Sequence, residues 1–243
     1  ILNAAAYTAV DKAEDEPLVA SRLNGGLPGQ LANYAQEQGQ QQKAALIHYS
    51  SDYVYPGTGT EPFDEQSDTG PLSVYGKTKL DGDNAISTTG CQHWIFRTSW
   101  VYSARGHNFM KTMLRLGKTK PELKVVADQI GVPTPARLIA QVSLLAFIKN
   151  IPAGIYHLAP RGQTSWQGFA QAIFSEWLAR GRELALTPEA LQPISTKEYP
   201  TPAQRPLNSR LNFTKLEKSL GTQLPDWKSQ LAQTLEEYLD YQP

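Results

Sequence analysis

Residues 44–53 read AALIHYSSDY, a short apolar run that ends abruptly in two serines and an aspartate. A compact apolar run of this kind predicts a buried strand over residues 44–50. In a parallel sheet, the side chains that follow such a strand border the ligand crevice, where a hydroxyl can bind a substrate oxygen. Ser51 and Asp52 are therefore candidate ligand-facing residues, although both residue types also cap ordinary turns.

The sequence around this stretch alternates strands with helices. Strands are predicted at residues 1–3, 94–98, 123–126 and 154–158, and helices at 18–38, 73–86, 108–118, 138–150, 164–179, 214–220 and 226–241. Gly25, Gly26, Pro28 and Gly29 weaken the middle of the first helix. The alternation predicts an α/β fold with a parallel sheet that is covered on both faces.

Composition excludes several classes of protein. The 243 residues are 40% hydrophobic and 19% charged, which is enough for a packed core. The 23 Lys and Arg residues balance 23 Asp and Glu residues, so a nucleic-acid-binding surface is not expected. Apolar stretches such as residues 143–148 fall far short of the ~20 residues that span a membrane. The single cysteine, Cys91, excludes an internal disulfide and indicates a reducing compartment, and the spacing of the four histidines predicts no metal site.

Residues 73–79, SVYGKTK, place a tyrosine and a lysine one helical turn apart. Tyr75 and Lys79 are therefore expected on the same face of a helix. An ammonium beside a phenol favours the phenolate, so we expect a pKa for Tyr75 below the usual ~10 and a hydroxyl that exchanges protons near neutrality. Ordinary surface pairs share this spacing. The order of strand, serine pair and Tyr-xxx-Lys helix favours the catalytic interpretation.

Three other segments are candidates for binding. Ala4, Ala5 and Ala6 follow the first strand, and such small side chains permit either close approach of a cofactor or plain tight packing. Trp100 follows the strand at 94–98 and is suited either to stacking on a sugar or base ring or to filling the core. Residues 205–210 include two arginines, which either bind a pyrophosphate or serve as surface cations.

Taken in order, these blocks resemble the extended short-chain dehydrogenase/reductases, and within them the dTDP-4-dehydrorhamnose reductase family. The matching blocks are residues 3–14, 50–55, 75–79, 97–102, 108–115, 128–134 and 205–211, and the resemblance covers essentially the whole chain. It implies a Rossmann-type, doubly wound cofactor domain in residues 1–150 and a smaller nucleotide-sugar lobe mainly in 151–243, without a clean boundary. It also implies a cytoplasmic enzyme that uses NADPH, or NADH, to reduce the C4 ketone of a dTDP-sugar for cell-surface polysaccharide.

The resemblance implies a role for each matching residue. Ser51 matches the hydroxyl that binds the C4 oxygen, Tyr75 the proton donor, and Lys79 the lysine that lowers the tyrosine pKa and holds the nicotinamide ribose. The implied cofactor contacts are Ala4, Ala5, Ala6, Tyr75 and Lys79, and the implied substrate contacts are Thr8, Val10, Ser51, Tyr53 and Trp100. Some family members pair through a magnesium ion, so Mg²⁺ and a homodimer are candidate partners; no nucleic acid or membrane partner is expected.

One departure from the family keeps alternatives open. The family begins with a glycine-rich turn that seats the cofactor pyrophosphate on a helix N-terminus, and no such turn precedes Asn3. We expect roughly 50–60 further residues, a β-α-β-α-β unit, before Ile1, and poor NADPH binding without them. The alternatives are a non-catalytic subunit similar to the regulatory subunit of methionine adenosyltransferase and a truncated, inactive pseudoenzyme. Intact Ser51, Tyr75 and Lys79 argue against the first alternative.

Overall fold

The computed structural model describes residues 1–42 and 44–241, which alternate strands with helices as predicted. The strands are β1 (Leu2–Asn3), β2 (Ala45–Ser51), β3 (Gln92–Thr98), β4 (Val101–Tyr102), β5 (Leu123–Val126), β6 (Ile130–Gly131), β7 (Thr134–Pro135), β8 (Gly154–His157), β9 (Thr164–Ser165) and β10 (Leu191–Ile194). The α-helices are α1 (Lys12–Asp15), α2 (Pro17–Ser21), α3 (Leu27–Gln42), α4 (Val74–Ser87), α5 (Phe109–Gly117), α6 (Ala136–Lys149), α7 (Trp166–Ala179), α8 (Thr214–Leu220) and α9 (Trp227–Asp240). None of the helices in these described ranges is both long and apolar enough to cross a membrane.

The main sheet has four parallel strands in the order β1-β2-β3-β8. Leu46, Ile95 and Phe96 are completely buried in it, as expected for parallel strands that are covered on both faces. Asn3 lies opposite His48 in the middle of β2, so the residues that follow β1 run beside the last part of β2. The predicted α/β fold with a parallel sheet is confirmed.

The chain divides into two compact units, each made of three separate segments. The first unit comprises Ile1–Thr98, Ser143–Leu158 and Thr201–Thr222, and the second comprises Ser99–Val142, Ala159–Pro200 and Gln223–Pro243. The first unit holds the four-stranded sheet, and the second packs α5, α7 and α9 around a core of its own. The assignment of residues 1–150 to the cofactor and 151–243 to the substrate stays a prediction, and residues 242 and 243 lie outside the described part of the chain.

A π-helical turn, Arg22–Gly26, joins α2 to α3 where the sequence weakens the predicted helix. The run therefore continues through its glycines instead of breaking at them. Asn24, in this turn, is completely buried, and its carbonyl oxygen approaches Gly82 of α4 so closely that a Cβ there would lie 2.1 Å away. The wide turn and the missing side chain let the two helices pack against each other.

We expect Gly82→Ala to destabilise the protein by about 1–3 kcal/mol, the usual cost of forcing extra atoms into a packed site. The clash is with a backbone oxygen, which no side-chain rotation relieves, so it outweighs the roughly 1 kcal/mol that alanine gains over glycine in a helix. The midpoint of urea unfolding measures the change. Gly39→Ala in α3 is the matched control, because the nearest atom to its Cβ would be 3.5 Å away; unchanged or higher stability is expected there. A stable Gly82→Ala protein would contradict the packing described.

Candidate active site

The carboxyl end of β2 forms a corner with a fixed hydroxyl. Ser51 Oγ accepts the backbone N–H of Tyr53 at 3.2 Å and donates to Asp52 Oδ1 at 3.0 Å. Ser51 and Asp52 are both buried. Burial raises the pKa of Asp52 to about 6, against hydrogen bonds from Ser209 and Ser51 that lower it. The corner lies at the carboxyl ends of the parallel strands, where α/β folds bind ligands.

Helix α4 brings the predicted proton donor, Tyr75, to this corner. Ser73 Oγ accepts the Gly76 N–H at 3.2 Å and so caps the helix. A Cβ at Gly76 would lie only 2.3 Å from the carbonyl oxygen of Tyr53, so glycine lets the first turn pack directly on the corner. The rings of Tyr53 and Tyr75 consequently meet edge to face, with centroids 5.5 Å apart.

The hydroxyl of Tyr75 is a weaker acid than the sequence predicts. Desolvation by burial raises the pKa of Tyr75, and a hydrogen bond with Ser51 lowers it only in part. The expectation of a Tyr75 pKa below the usual ~10 is therefore wrong in this structure, while the role of Lys79 beside a bound cofactor stays a prediction. Helical spacing fixes the face on which a lysine lies, but the direction of its long side chain depends on the acceptors around it.

Those acceptors belong to β2. Lys79 is 1% exposed, and its Nζ donates to the carbonyl oxygen of Tyr49 at 2.6 Å and lies 3.4 Å from His48 Nε2. Burial lowers the pKa of Lys79 to about 8, and the nearby Asp83 carboxylate acts in the opposite direction. The lysine is thus held against the strand, with a charge that changes close to neutral pH.

A buried ion pair lies one turn further along α4. Asp83 Oδ2 accepts from Arg97 Nε of β3 at 2.9 Å, and both side chains are almost completely buried. Arg97 Nη1 also donates to the Tyr55 hydroxyl at 2.8 Å, and that hydroxyl lies 2.6 Å from His157 Nε2. The network holds α4 on the sheet and so fixes the helix that carries Tyr75.

The predicted cofactor segment follows β1 directly. Ala4 and Ala5 are exposed, and the Ala5 N–H donates to Asn3 Oδ1 at 3.2 Å in a tight turn. Because β1 and β2 are parallel neighbours, Ala4, Ala5 and Ala6 lie at the same carboxyl end of the sheet as Ser51. Small exposed side chains leave this edge open for a flat ligand.

The segment with Thr8 and Val10 is anchored by a buried asparagine. Asn24 Oδ1 accepts the Tyr7 N–H at 2.8 Å, and Asn24 Nδ2 donates to the Tyr7 carbonyl at 3.0 Å and to Thr78 Oγ1 of α4 at 3.2 Å. Thr8 is exposed and Val10 half-buried. The structure therefore holds the first predicted substrate segment against the helix that carries Tyr75.

Arg205 is half-buried and is not the plain surface cation considered from the sequence, while pyrophosphate binding by this segment stays a prediction. Its Nη2 donates to Asp11 Oδ2 at 2.6 Å, and its Nη1 donates to the Tyr53 hydroxyl at 3.1 Å. The second arginine of that segment, Arg210, donates to Asn208 Oδ1 at 3.0 Å. Arg205 therefore holds the side chain of a predicted substrate residue.

Trp100 belongs to the second unit. Its φ is +47°, an uncommon value for a residue other than glycine, and its ring stacks on Trp166 with centroids 3.8 Å apart. It is half-buried, so part of the ring stays accessible. Its contact with substrate, like the roles of the other site residues, stays a prediction.

Sequence reasoning missed the parts played by Asn24 and His48. The signal for Asn24 in the sequence is the pair of glycines that follow it, which predicts a weak helix but does not reveal the close approach to α4. His48 lies in the middle of β2. Its contacts with Asn3 of β1 and Lys79 of α4 could not be predicted from the spacing of these residues in the sequence.

Two further features concern metal and redox chemistry. Within residues 1–42 and 44–241, no group of three or more His, Cys, Asp or Glu side chains is arranged to hold a metal ion. Cys91 is a buried free thiol.

A parallel α/β sheet with a serine at a strand end, followed by Tyr-xxx-Lys on the next helix, defines the short-chain dehydrogenase/reductase class. The chain belongs to the family described as the RmlD substrate binding domain, whose sequence model matches residues 1–240. It is 48% identical over 232 residues to the dTDP-4-dehydrorhamnose reductase of Salmonella typhimurium, an alignment that covers 94% of this chain and 76% of that protein.

Solved structures agree with this family. The crystal structure of a dTDP-4-dehydrorhamnose reductase from Clostridium acetobutylicum matches with a TM-score of 0.88 and 38% identity, covering 98% of this chain and 80% of that one. The dTDP-4-dehydrorhamnose reductase of Bacillus anthracis in complex with NADP matches with a TM-score of 0.88, 34% identity and the same coverage. These neighbours have Rossmann-type folds, as expected from the sequence.

Proposed function

We propose that this chain reduces the C4 ketone of dTDP-4-dehydro-L-rhamnose to dTDP-L-rhamnose with a nicotinamide cofactor, in rhamnose biosynthesis for cell-surface polysaccharide. The observation that supports this most is the group formed by Ser51, Tyr75 and Lys79 at one sheet edge. The Ser51 hydroxyl, the Tyr75 phenol that is hydrogen-bonded to it, and the buried lysine are the groups that carbonyl reduction needs. The names of the relatives supply the sugar nucleotide.

The residues around Tyr75 fit the nicotinamide end of the cofactor. Ala4 and Ala5 leave the end of β1 open for a flat ring. Lys79 already donates to the Tyr49 carbonyl, and the family resemblance assigns it a further contact with the ribose hydroxyls. Bound there, a reduced nicotinamide supplies hydride to the substrate carbon. We propose NADPH as the preferred cofactor and NADH as the second, in keeping with the NADP in the Bacillus anthracis relative.

The chain's own residues then handle the ketone oxygen. Ser51 Oγ orients that oxygen through a hydrogen bond, and Tyr75 donates its hydroxyl proton to it as carbon C4 gains hydride. The raised pKa of Tyr75 keeps the phenol protonated at neutral pH. The transfer remains downhill, because an alcohol is a much weaker acid than a phenol. Solvent returns a proton to Tyr75 after each turnover.

Partners and location follow from the same proposal. We propose a cytoplasmic enzyme that works as a homodimer on a dTDP-sugar.

Oxidation of NADPH by the full-length gene product, with dTDP-4-dehydro-L-rhamnose as substrate, tests the function. We expect turnover that requires the keto sugar and is absent with dTDP-glucose, which lacks a ketone. A folded protein without turnover, whose melting temperature NADPH does not raise, would support the pseudoenzyme. Stoichiometric co-purification with a methionine adenosyltransferase would instead support the regulatory subunit.

A further inference from the structure

A chain of hydrogen bonds links the predicted cofactor segment to the predicted catalytic lysine. The Ala5 N–H donates to Asn3 Oδ1 at 3.2 Å, Asn3 Nδ2 lies 3.0 Å from His48 Nδ1, and His48 Nε2 lies 3.4 Å from Lys79 Nζ. Asn3 is 4% exposed, and His48 and Lys79 are each 1% exposed. The three side chains of this hydrogen-bond chain are therefore shielded from bulk water, whereas Ala5, at its start, is exposed.

The direction of this chain follows from its first member. A backbone N–H only donates, so Asn3 presents its oxygen to Ala5 and its amide nitrogen to His48. The amide donates to Nδ1, and a neutral imidazole then carries its single hydrogen on Nε2. That N–H faces Lys79 Nζ. An ammonium has no lone pair to accept it, whereas a neutral amine does.

Other groups near Lys79 also act on the charge of its side chain. The carbonyl oxygen of Tyr49 accepts from Lys79 Nζ at 2.6 Å in either charge state. Asp83, on the same helix, favours the ammonium, although its carboxylate is already paired with Arg97 of β3. Burial and the nearby lysine charge hold the pKa of His48 well below its usual range. At neutral pH, His48 is therefore uncharged, and the nitrogen that carries its single hydrogen determines how the ring acts on Lys79.

We propose that His48, oriented by Asn3, is a positioning residue that sets the charge of the Lys79 side chain. The Nε2–H tautomer favours the amine, and the Nδ1–H tautomer, with its lone pair toward Lys79, favours the ammonium. The series of hydrogen bonds begins at the backbone N–H of Ala5. The protonation of Lys79 therefore depends on the conformation of the segment that is predicted to contact the cofactor. The tautomer itself is independent of the proposed reductase function; its consequence for catalysis rests on that function.

The first test is ¹⁵N NMR of the histidine rings in the full-length gene product, with His48 assigned by substitution. We expect His48 in the Nε2–H form in the wild-type protein. In Asn3→Asp, which keeps the shape, a carboxylate accepts from both sides, so the ring should change to the Nδ1–H form. A wild-type ring in the Nδ1–H form, or an unchanged ring in a folded Asn3→Asp protein, would overturn the proposal.

The second test is the pH profile of kcat/KM. In Asn3→Asp, the His48 ring should present the lone pair of Nε2 to Lys79 and favour the ammonium. The alkaline limb of the pH profile should then move upward by about one pH unit or more. Asn3→Leu separates the tautomer from the added charge, since it frees the ring without a carboxylate and should also move the limb upward. A purely structural role for Asn3 would lower stability and leave the limb in place, which would overturn the proposal.

His93→Gln is the matched control for the pH profile. His93 is half-buried in β3, and its Nδ1 lies 2.9 Å from the Cys91 carbonyl oxygen, outside the chain of bonds. No movement of the limb is expected for this variant. The two proposals fail separately: a wild-type enzyme that does not turn over contradicts the function, while the NMR result still decides the tautomer.

Discussion

Tyr75→Phe is expected to lower kcat by a factor on the order of 10²–10⁴, the usual contribution of a positioned general acid. Phenylalanine keeps the ring that packs edge to face on Tyr53 but has no proton to give to the forming alkoxide. It also removes the hydrogen bond between Tyr75 and Ser51. Steady-state NADPH oxidation with the keto sugar measures the loss.

The KM for NADPH should change much less than kcat in this variant, because Lys79 and the alanine segment, which are the other implied cofactor contacts, are untouched. Tyr34→Phe is the control, since Tyr34 lies on α3 with 54% of its surface exposed and should behave as wild type. Unfolding by urea should show that Tyr75→Phe is folded. Near wild-type kcat in a folded Tyr75→Phe protein would remove Tyr75 from the mechanism.

Asp83→Leu is expected to destabilise the protein by about 3–5 kcal/mol, because it leaves a buried guanidinium without its counter-charge. Arg97 is 3% exposed, and its Nε donates to Asp83 Oδ2 at 2.9 Å. The hydroxyl of Tyr55 offers Arg97 a neutral acceptor, which does not replace a carboxylate. The midpoint of urea unfolding at neutral pH measures the loss.

Two controls separate this effect from a simple change of volume. The double variant Asp83→Leu with Arg97→Met removes both charges and should recover much of the stability, since buried pairs replaced by apolar side chains are often neutral. Breaking the more exposed pair Arg180–Glu176 with Glu176→Gln should cost less than about 1 kcal/mol. Equal losses in the single and double variants would show that packing, not the unpaired charge, is responsible.

The elements of the fold were largely predictable from local sequence. Strands β2, β3, β5 and β8 and helices α4, α5, α7, α8 and α9 lie within a few residues of their predicted positions. Asn108 and Ser165 cap α5 and α7. These signals succeed because apolar periodicity and capping act over one or two turns of chain.

The region around Asn24 shows where such signals fail. Gly25 and its neighbours look like a helix break when propensity alone is considered. In the structure, a π turn and Gly82 of α4 let two backbones approach each other, a contact 58 residues apart in sequence. Propensity measures an isolated helix and contains no information about the surface against which it packs.

By itself, the sequence determined the order of elements, the parallel sheet and the placement of Ser51, Tyr75 and Lys79 at one edge, because strand ends and helical faces follow from local periodicity. Only the tertiary structure decided the electrostatics of that edge. It turned Lys79 toward Tyr49 and His48, raised the pKa of Tyr75 and assigned Arg205 to Tyr53. Desolvation and hydrogen-bond direction depend on atoms from distant segments, and their combined effect exists only once the chain is folded.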